Sequence, residues 1–366
     1  TQNFQALVIY NFYFFLSLLI IYILSGYWLK NYSARTLIKL GNLVWIVFLV
    51  LLIFLKQRSI EFLVPLGIIN GISGGLFWSG FNLHQYLTTH QQDRDYFFGI
   101  QEFWSNLARI TGPILGGLII TFGNYINPTQ SLFGYYLLFG ITTIIVAIAT
   151  KYTWGFPRFS GVDFKLLQLK QILHHNPPLK SILFQQALLG LRDVSLGTLV
   201  SIITFLILKQ ELNVGIYNSV IGLFTAIGAF AAGKLLNSYT RIKLSFLGAL
   251  SLSLSTLILT LSPNLIGLTS FSLLGIPGLF FWITLGTLFY TVADLDHKPW
   301  RLKYAYLVNR DIVLGVARIL SYVILWWLFT SFSQAVVIQW WLIFISFLPL
   351  LIWVSVRRVS VYVHNQ

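Results

Sequence analysis

Charged side chains within long apolar stretches are the residues of this sequence most able to do chemistry. Glu102 and Arg109 lie seven residues apart in one such stretch, and Asp311 and Arg318 repeat the same pattern in another. Seven residues turn an α-helix through about 700°, so the members of each pair lie on one helix face. Because a charge in an apolar medium is costly, each is a candidate for binding a solute or exchanging a proton.

A third charged pair, Arg192 and Asp193, lies near the middle of another apolar stretch. Adjacent helical residues project about 100° apart, so we expect these two not to pair with each other. A structural role, in which the charges lock helices together or reach the membrane edge, remains the alternative for every pair. It is favoured for Asp311, which lies beside Arg310 only about one turn inside its stretch.

The elements that must position these charges follow from the composition. Of the 366 residues, 57% are hydrophobic and only 9% are charged, whereas soluble domains carry about 25% charged residues. A soluble enzyme and a disordered chain are therefore excluded. About 20 apolar residues cross the ~30 Å of hydrocarbon in a membrane, and eleven stretches reach that length without the alternation of barrel strands. We predict an all-α polytopic membrane protein. The eleven transmembrane helices are expected at approximately 6–29, 37–55, 60–83, 98–122, 131–150, 181–208, 215–237, 244–262, 266–291, 306–332 and 334–356.

The distribution of Lys and Arg predicts the orientation. If the first connection is placed in the cytoplasm, most of the 24 basic residues fall on that side, and the outer side holds only Lys56, Arg58 and Lys209. Such a bias is typical of the cytoplasmic loops of membrane proteins. We therefore predict a multi-pass protein of the bacterial plasma membrane (cell inner membrane), with its C-terminus in the cytoplasm. The net charge of +14 needs no nucleic-acid partner.

One long connection divides the chain into two halves. Residues 151–180 are basic and contain three prolines, and residues 163–173 resemble an amphipathic helix lying on an anionic membrane surface. We predict an N-terminal half-bundle of five helices at 1–150, a cytoplasmic linker at 151–180 and a C-terminal half-bundle of six helices at 181–366.

The two halves resemble each other in sequence. The segment that begins at Gly26 matches the one at Gly233 at an offset of 207, and the charged pairs at Glu102 and Asp311 recur at an offset of 209. Parallel repeats of this kind are typical of one class of secondary transporters. The same offset places the partner of the helix at 181–208 before the first residue. We expect a twelve-helix protein whose first helix is missing from this sequence.

Two stretches carry a resemblance to the major facilitator superfamily (MFS) of transporters. The segment from Gly26 through Lys30 to Arg35 resembles the family's Gly-x-x-x-Asp-Arg-x-Gly-Arg-Arg signature, with Lys30 at the acidic position. A second copy falls at Gly233 and Arg241. The resemblance implies that both segments gate the conformational change.

The second stretch runs from Gly99 to Gly117 and contains Gly112, Pro113 and Gly116. It resembles the family's fifth-helix antiporter motif. The four residues Gly112, Pro113, Gly116 and Gly117 are interpreted as permitting close helix packing and bending.

The resemblance implies secondary active transport of a small solute by alternating access. We expect proton-coupled efflux of a drug or metabolite, with Glu102, Asp193 and Asp311 as candidate proton carriers. Uptake or exchange of an organic anion is the alternative, because the spans hold three Arg residues near their middle and few acids. The chain is expected to act as a monomer without cofactor or metal. Polar or aromatic residues that the resemblance places on the helices lining the solute path are Asn70, Trp78, Asn82, Gln185, Gln186 and Trp282.

A non-transporting receptor or a membrane enzyme built on the same fold remains the alternative of another class. An enzyme needs a dense group of acids and histidines, and the sequence offers Asp294, Asp296 and His297 in one connection. A solvated charged loop explains this group, and motifs for phosphate-binding loops or catalytic zinc are missing from the sequence. We therefore predict that the protein is not an enzyme.

Overall fold

The computed structural model describes residues 4–90, 92–127, 132–175, 177–237, 239–296 and 299–364, and in these ranges it contains α-helices and no strand. The helices are α1 (Phe4–Trp28), α2 (Ala34–Leu55), α3 (Leu63–Thr88), α4 (Arg94–Ile126), α5 (Phe133–Tyr152), α6 (Leu166–His175), α7 (Pro177–Leu208), α8 (Glu211–Leu235), α9 (Arg241–Leu261), α10 (Leu265–Gly275), α11 (Gly278–Leu295), α12 (Trp300–Ser331), α13 (Gln334–Ser346) and α14 (Leu348–His364).

Ten helical stretches among the described residues are long and apolar enough to cross a membrane. They match ten of the eleven predicted spans, which confirms an all-α polytopic membrane protein. The remaining predicted span, 98–122, forms α4, which is 33 residues long. It is not among the ten apolar stretches, because charged residues such as Glu102 and Arg109 lower its hydropathy.

Two of the predicted spans are each formed by a pair of helices, α10–α11 and α13–α14. Pro277 and Pro349 lie at these breaks and lack the N–H that a continuous helix would use. Helix α9 supports the first break: the Ser251 hydroxyl donates a hydrogen bond to the Leu274 carbonyl. A Cβ added to Gly248 of α9 would lie 2.7 Å from the carbonyl oxygen of Pro277. The absence of a side chain at Gly248 therefore lets α9 pack directly against the break.

The packing of the helices divides the chain into two compact units. Unit 1 consists of Thr1–Thr88, Ile119–Asn176 and His297–Ser331, and unit 2 of Thr89–Leu118, Pro177–Asp296 and Phe332–Gln366. Each unit takes helices from both sequence halves: α12 belongs to unit 1, and the first part of α4 belongs to unit 2. The half-bundles at 1–150 and 181–366 describe the sequence repeat and stay a prediction.

Small residues let α1 and α3 of unit 1 approach each other closely. Gly67, Gly71 and Gly75 recur every four residues on the face of α3 that meets α1. A Cβ at Gly67 would lie 2.8 Å from the carbonyl oxygen of Tyr10, and one at Gly75 would lie 2.7 Å from that of Leu18. This stripe of glycines replaces side-chain contact by backbone contact, as in many membrane helix pairs.

Candidate functional site

The first part of α4 packs antiparallel to α8 within unit 2 through small residues. A Cβ at Gly99 would lie 2.6 Å from the Cα of Gly233. Farther along α4, the Ser219 hydroxyl of α8 donates a 2.5 Å hydrogen bond to the Ile110 carbonyl. The structure thus brings together Gly99 and Gly233, which two different sequence motifs had singled out.

The Gly-Pro motif of α4 contributes to this packing unevenly. The carbonyl oxygen of Pro113 lies 2.8 Å from the Cβ position of Gly215 in α8, while a Cβ at Gly112 would meet no atom of the described residues within 4 Å. Gly116 and Gly117 are buried. Close approach is therefore seen at Pro113, and the packing role of Gly112 stays a prediction.

Glu102 and Arg109 lie on α4 beside the stripe that contacts α8. Glu102 is half-buried, and Arg109 is exposed on the surface of the protein. The two charges interact electrostatically. Asn106, between them, donates its amide to the Glu102 carbonyl at 2.7 Å. Phe98, one turn before Glu102, stacks on Tyr290 of α11 with ring centroids 5.8 Å apart. Helical periodicity therefore places both charges on the flank of α4 that continues from its contact with α11.

Helix α7 buries two polar side chains that the sequence had singled out. Gln185 is 1% exposed and Arg192 is 3% exposed. Neither Nε2 of Gln185 nor Nε of Arg192 has a hydrogen-bond partner among the described residues. The two lie seven residues apart and so on one helix face. Buried donors of this kind are rare and call for an explanation such as a ligand.

Asp193 follows Arg192 directly and is half-buried. The backbone N–H of Val194 donates to its Oδ1 at 2.7 Å. Its charge also acts on the Arg192 guanidinium. That Asp193 and Arg192 do not pair with each other stays a prediction.

In unit 1, the Asp311 carboxylate is held by its neighbour in sequence. Nε and NH2 of Arg310 both contact Oδ2 of Asp311, at 3.1 and 2.7 Å. The guanidinium of Arg318 lies over the ring of Phe15, 5.3 Å from its centroid. The two halves therefore share the spacing of charges and differ in their contacts, because the long Arg310 side chain can reach along its own helix.

Asn70 and Trp78 both lie on α3. The Asn70 amide donates to the Tyr10 hydroxyl of α1 at 2.7 Å. Trp78 is 46% exposed and contacts the rings of Phe77 and Phe81 edge-on. Their roles in binding a solute stay predictions.

The predicted gating segment of unit 1 contacts a segment that we call the strap, residues 153–165. NH1 of Arg35 donates to the carbonyls of Trp154 and Phe156, at 2.6 and 3.2 Å. A Cβ at Gly26 would lie 2.8 Å from Cγ of Phe164, so Gly26 leaves room for that ring. Lys30 is exposed.

The strap backbone is hydrogen-bonded to three helix ends of unit 1. The N–H groups of Gly161 and Val162 donate to the Leu29 carbonyl after α1, at 3.0 and 3.2 Å. Asp163 N–H donates to the carbonyl of Arg301 at the start of α12 at 3.0 Å. Helix formation therefore begins only at Leu166, three residues later than the predicted amphipathic helix at 163–173. The strap ties α1 to α12.

The segment of unit 2 that was predicted to correspond to the gating segment of unit 1 is held by an ion pair. NH2 of Arg241 lies 2.6 Å from Oδ2 of Asp95, and the Thr287 hydroxyl donates to Oδ1 of the same carboxylate at 2.6 Å. The two matching segments are therefore held differently: Arg35 donates to strap carbonyls, whereas Arg241 pairs with a carboxylate.

A buried ion pair beside this site was missed by sequence reasoning. NH1 of Arg94 lies 2.6 Å from Oδ2 of Asp294, and the Arg94 side chain is 2% exposed. Asp294 lies in α11, so its interpretation as part of a solvated loop was wrong; His297 lies outside the described residues. The signal was available in the sequence, because Arg94 and Asp95 precede one predicted span and Asp294 follows another.

Comparison with known proteins gives the family. The Major Facilitator Superfamily model matches residues 5–302. The chain is 24% identical over 323 residues to Uncharacterized protein YqgE of Bacillus subtilis (strain 168), a match that covers 87% of this chain and 73% of that protein. It is 28% identical over 121 residues to Uncharacterized protein in sodM 3'region of Geobacillus stearothermophilus, which covers 33% of this chain and 56% of that protein.

Solved structures share the fold. The E.coli fucose:proton symporter matches with a TM-score of 0.68 at 15% identity, over 98% of this chain and 91% of that chain. The human organic anion transporter TETRAN matches with a TM-score of 0.66 at 13% identity, over 95% and 83%. These neighbours and the family indicate a transporter rather than an enzyme. With the family model matching most of its length, the chain belongs to the Major Facilitator Superfamily.

Proposed function

We propose that this protein exports a small drug or metabolite by alternating access and couples that export to protons. The observation that carries the proposal is the position of Glu102 and Arg109 on α4, the helix that packs on α8 through Gly99 and Gly233. A carboxylate within a spanning helix is costly unless it is used or compensated. Glu102 is half-buried, so a change in its surroundings can change its proton occupancy.

The test of proton coupling uses purified protein in liposomes with an imposed pH gradient. Fluorescent cationic drugs are the solutes, and a lumenal pH dye reports proton movement. Glu102→Gln, which mimics the protonated carboxyl, should lose accumulation driven by the gradient and keep solute exchange across equal pH. Glu61→Gln removes an exposed carboxylate between helices and should behave like the wild type. Gradient-driven accumulation in Glu102→Gln would contradict coupling through Glu102.

A second candidate function is uptake or exchange of an organic anion. It is supported by Nε2 of Gln185 and Nε of Arg192, two buried nitrogens on one face of α7 that have no hydrogen-bond partner among the described residues. A carboxylate or phosphate supplies acceptors for both, and a guanidinium favours such groups. Arg192→Gln should then abolish exchange of radiolabelled carboxylates and leave export of cationic drugs intact. The reverse result would favour the efflux proposal.

For the orientation, we propose that the strap and the gating segments lie in the cytoplasm. The strap and its neighbours are rich in basic residues, as cytoplasmic segments are. The chain contains no cysteine, so a single cysteine placed at the exposed Lys30 is the only reactive thiol. It should react with an impermeant maleimide in inverted vesicles and stay unlabelled in intact cells. Labelling in intact cells would show that the orientation is the opposite of the one proposed.

A further inference from the structure

Three cations converge at the end of unit 1 where α2 meets the strap. The ammonium of Lys39 lies 3.4 Å from the ring centroid of Trp154. Arg35 and Arg158 lie close enough to Lys39 to repel it. Arg35 is held there by its two hydrogen bonds to the carbonyls of Trp154 and Phe156. Arg158 is exposed on the strap.

The acidic residues near this cluster do not balance its charge. Neither α2 nor α5, which pack on each other here, contains an Asp or Glu. Residues 151–170 contain Lys151, Lys165 and Lys170 besides Arg158, and their single acid is Asp163. The general enrichment of basic residues on the cytoplasmic side explains why these residues lie on one side of the membrane. It does not explain why they lie close together, because like charges repel and their approach costs free energy.

The depth of the cluster is that of the membrane surface. Trp154 lies at the end of the spanning stretch Phe133–Gly155 and is 67% exposed, and the preceding Tyr152 is 76% exposed. Trp and Tyr favour the level of lipid headgroups. Lys39 lies five residues into α2, about 7.5 Å along its axis, and its flexible stem carries the ammonium outward to the ring of Trp154.

We propose that Lys39, Arg35 and Arg158, together with the exposed ring of Trp154, form a binding site for the headgroup phosphate of an anionic phospholipid. The phosphate supplies the negative charge that the cluster lacks, and the acyl chains lie along the apolar outer surfaces of α2 and α5. Because Arg35 also holds the strap, a bound lipid stabilises the strap contacts.

Native mass spectrometry of the detergent-solubilised protein with added dioleoyl phosphatidylglycerol tests this proposal. A detergent micelle has no extended anionic bilayer surface, so lipid that stays bound to the protein indicates a specific binding site. One cation near an anionic headgroup is worth about a five-fold change in affinity, so Lys39→Gln and Arg158→Gln should each lower the affinity about five-fold. Lys39→Arg keeps the charge and should bind as the wild type does. Wild-type binding by Lys39→Arg would show that replacing Lys39 does not by itself unfold the protein, so a loss in Lys39→Gln can be attributed to the lost charge.

Lys165→Gln is the matched control, because it removes one positive charge from the exposed end of the strap outside the cluster. It should leave phosphatidylglycerol affinity nearly unchanged. An equal loss in Lys165→Gln and Lys39→Gln would overturn the site in favour of diffuse attraction. Equal retention of phosphatidylcholine, or full displacement of the lipid by millimolar inorganic phosphate, would overturn an anionic lipid as the ligand.

Discussion

Arg94 and Asp294 join the first turn of α4 to the last turn of α11 by an ion pair of 2.6 Å. The other nitrogens of Arg94 contact Thr89: Nε donates to its hydroxyl at 3.3 Å and NH2 to its carbonyl at 3.4 Å. The guanidinium also lies 5.3 Å from the ring centroid of Tyr290. A fully buried arginine is thus surrounded by partners within unit 2, which makes the pair sensitive to the loss of the Asp294 carboxylate.

Asp294→Asn should destabilise the protein by about 3 kcal/mol, because it removes the Asp294 negative charge from a buried ion pair with Arg94. The melting temperature in detergent micelles measures the change. Asp93→Asn removes an exposed carboxylate next to Arg94 in sequence and should have little effect. Equal melting temperatures for the two variants would show that the pair adds nothing to stability.

Asp95→Asn and Arg241→Gln should be strongly non-additive. The two side chains are 15% and 13% exposed and directly paired, so either substitution breaks the same contact. We expect a coupling free energy of about 1–3 kcal/mol in a double-mutant cycle of thermal stability. Additive effects would show that the 2.6 Å contact between Asp95 and Arg241 does not contribute to the stability of the solubilised protein.

Gly99→Ala should destabilise unit 2 by about 1–3 kcal/mol through overpacking. Its Cβ would meet the Gly233 backbone, which cannot move aside as a flexible side chain does. Gly112→Ala is the control on the same helix, since a Cβ there meets no described atom within 4 Å. That variant should be neutral or stabilising by about 0.5–1 kcal/mol, because alanine favours the helix. The opposite order of stabilities would refute the α4–α8 contact.

Gly26→Ala should release the strap. The new methyl group would overlap the ring of Phe164, which is otherwise 6% exposed. Limited trypsin digestion measures the release, since cleavage after Arg158 requires a detached strap; we expect faster cleavage than in the wild type. Gly140→Ala on α5, where a Cβ meets no described atom within 4 Å, should leave the cleavage rate unchanged. Protection equal to the wild type in Gly26→Ala would argue against strap docking.

Arg109 separates the two proposed functions. If its exposed guanidinium binds a substrate anion, Arg109→Gln should weaken binding of radiolabelled carboxylates, and Arg109→Lys should retain part of it, since the charge survives and the planar fork is lost. If Arg109 only balances Glu102, Arg109→Gln should lower the melting temperature more than Arg109→Lys, which keeps the charge, and both should leave carboxylate affinity unchanged. Unchanged affinity in Arg109→Gln would leave proton-coupled efflux as the better proposal.

The fold class and the family could be predicted from the sequence. The length and apolarity of a stretch such as Ala34–Ile60 are local properties. In a membrane only helices and closed barrels satisfy the backbone, and a long stretch without alternation fits a helix. The breaks at Pro277 and Phe347 were missed within two predicted spans, because apolarity continues across a break and does not report it.

The partners of the charges were decided by tertiary structure. Asp311 and Glu102 have the same sequence pattern, yet Asp311 is held by Arg310 and Glu102 interacts with Arg109, because side-chain reach and neighbouring helices differ. The pairing of Arg94 with Asp294 joins positions 200 residues apart. Local sequence determined which segments form helices and where charges enter them. Which charge meets which, and where the strap docks, depended on contacts between distant segments that only packing brings together.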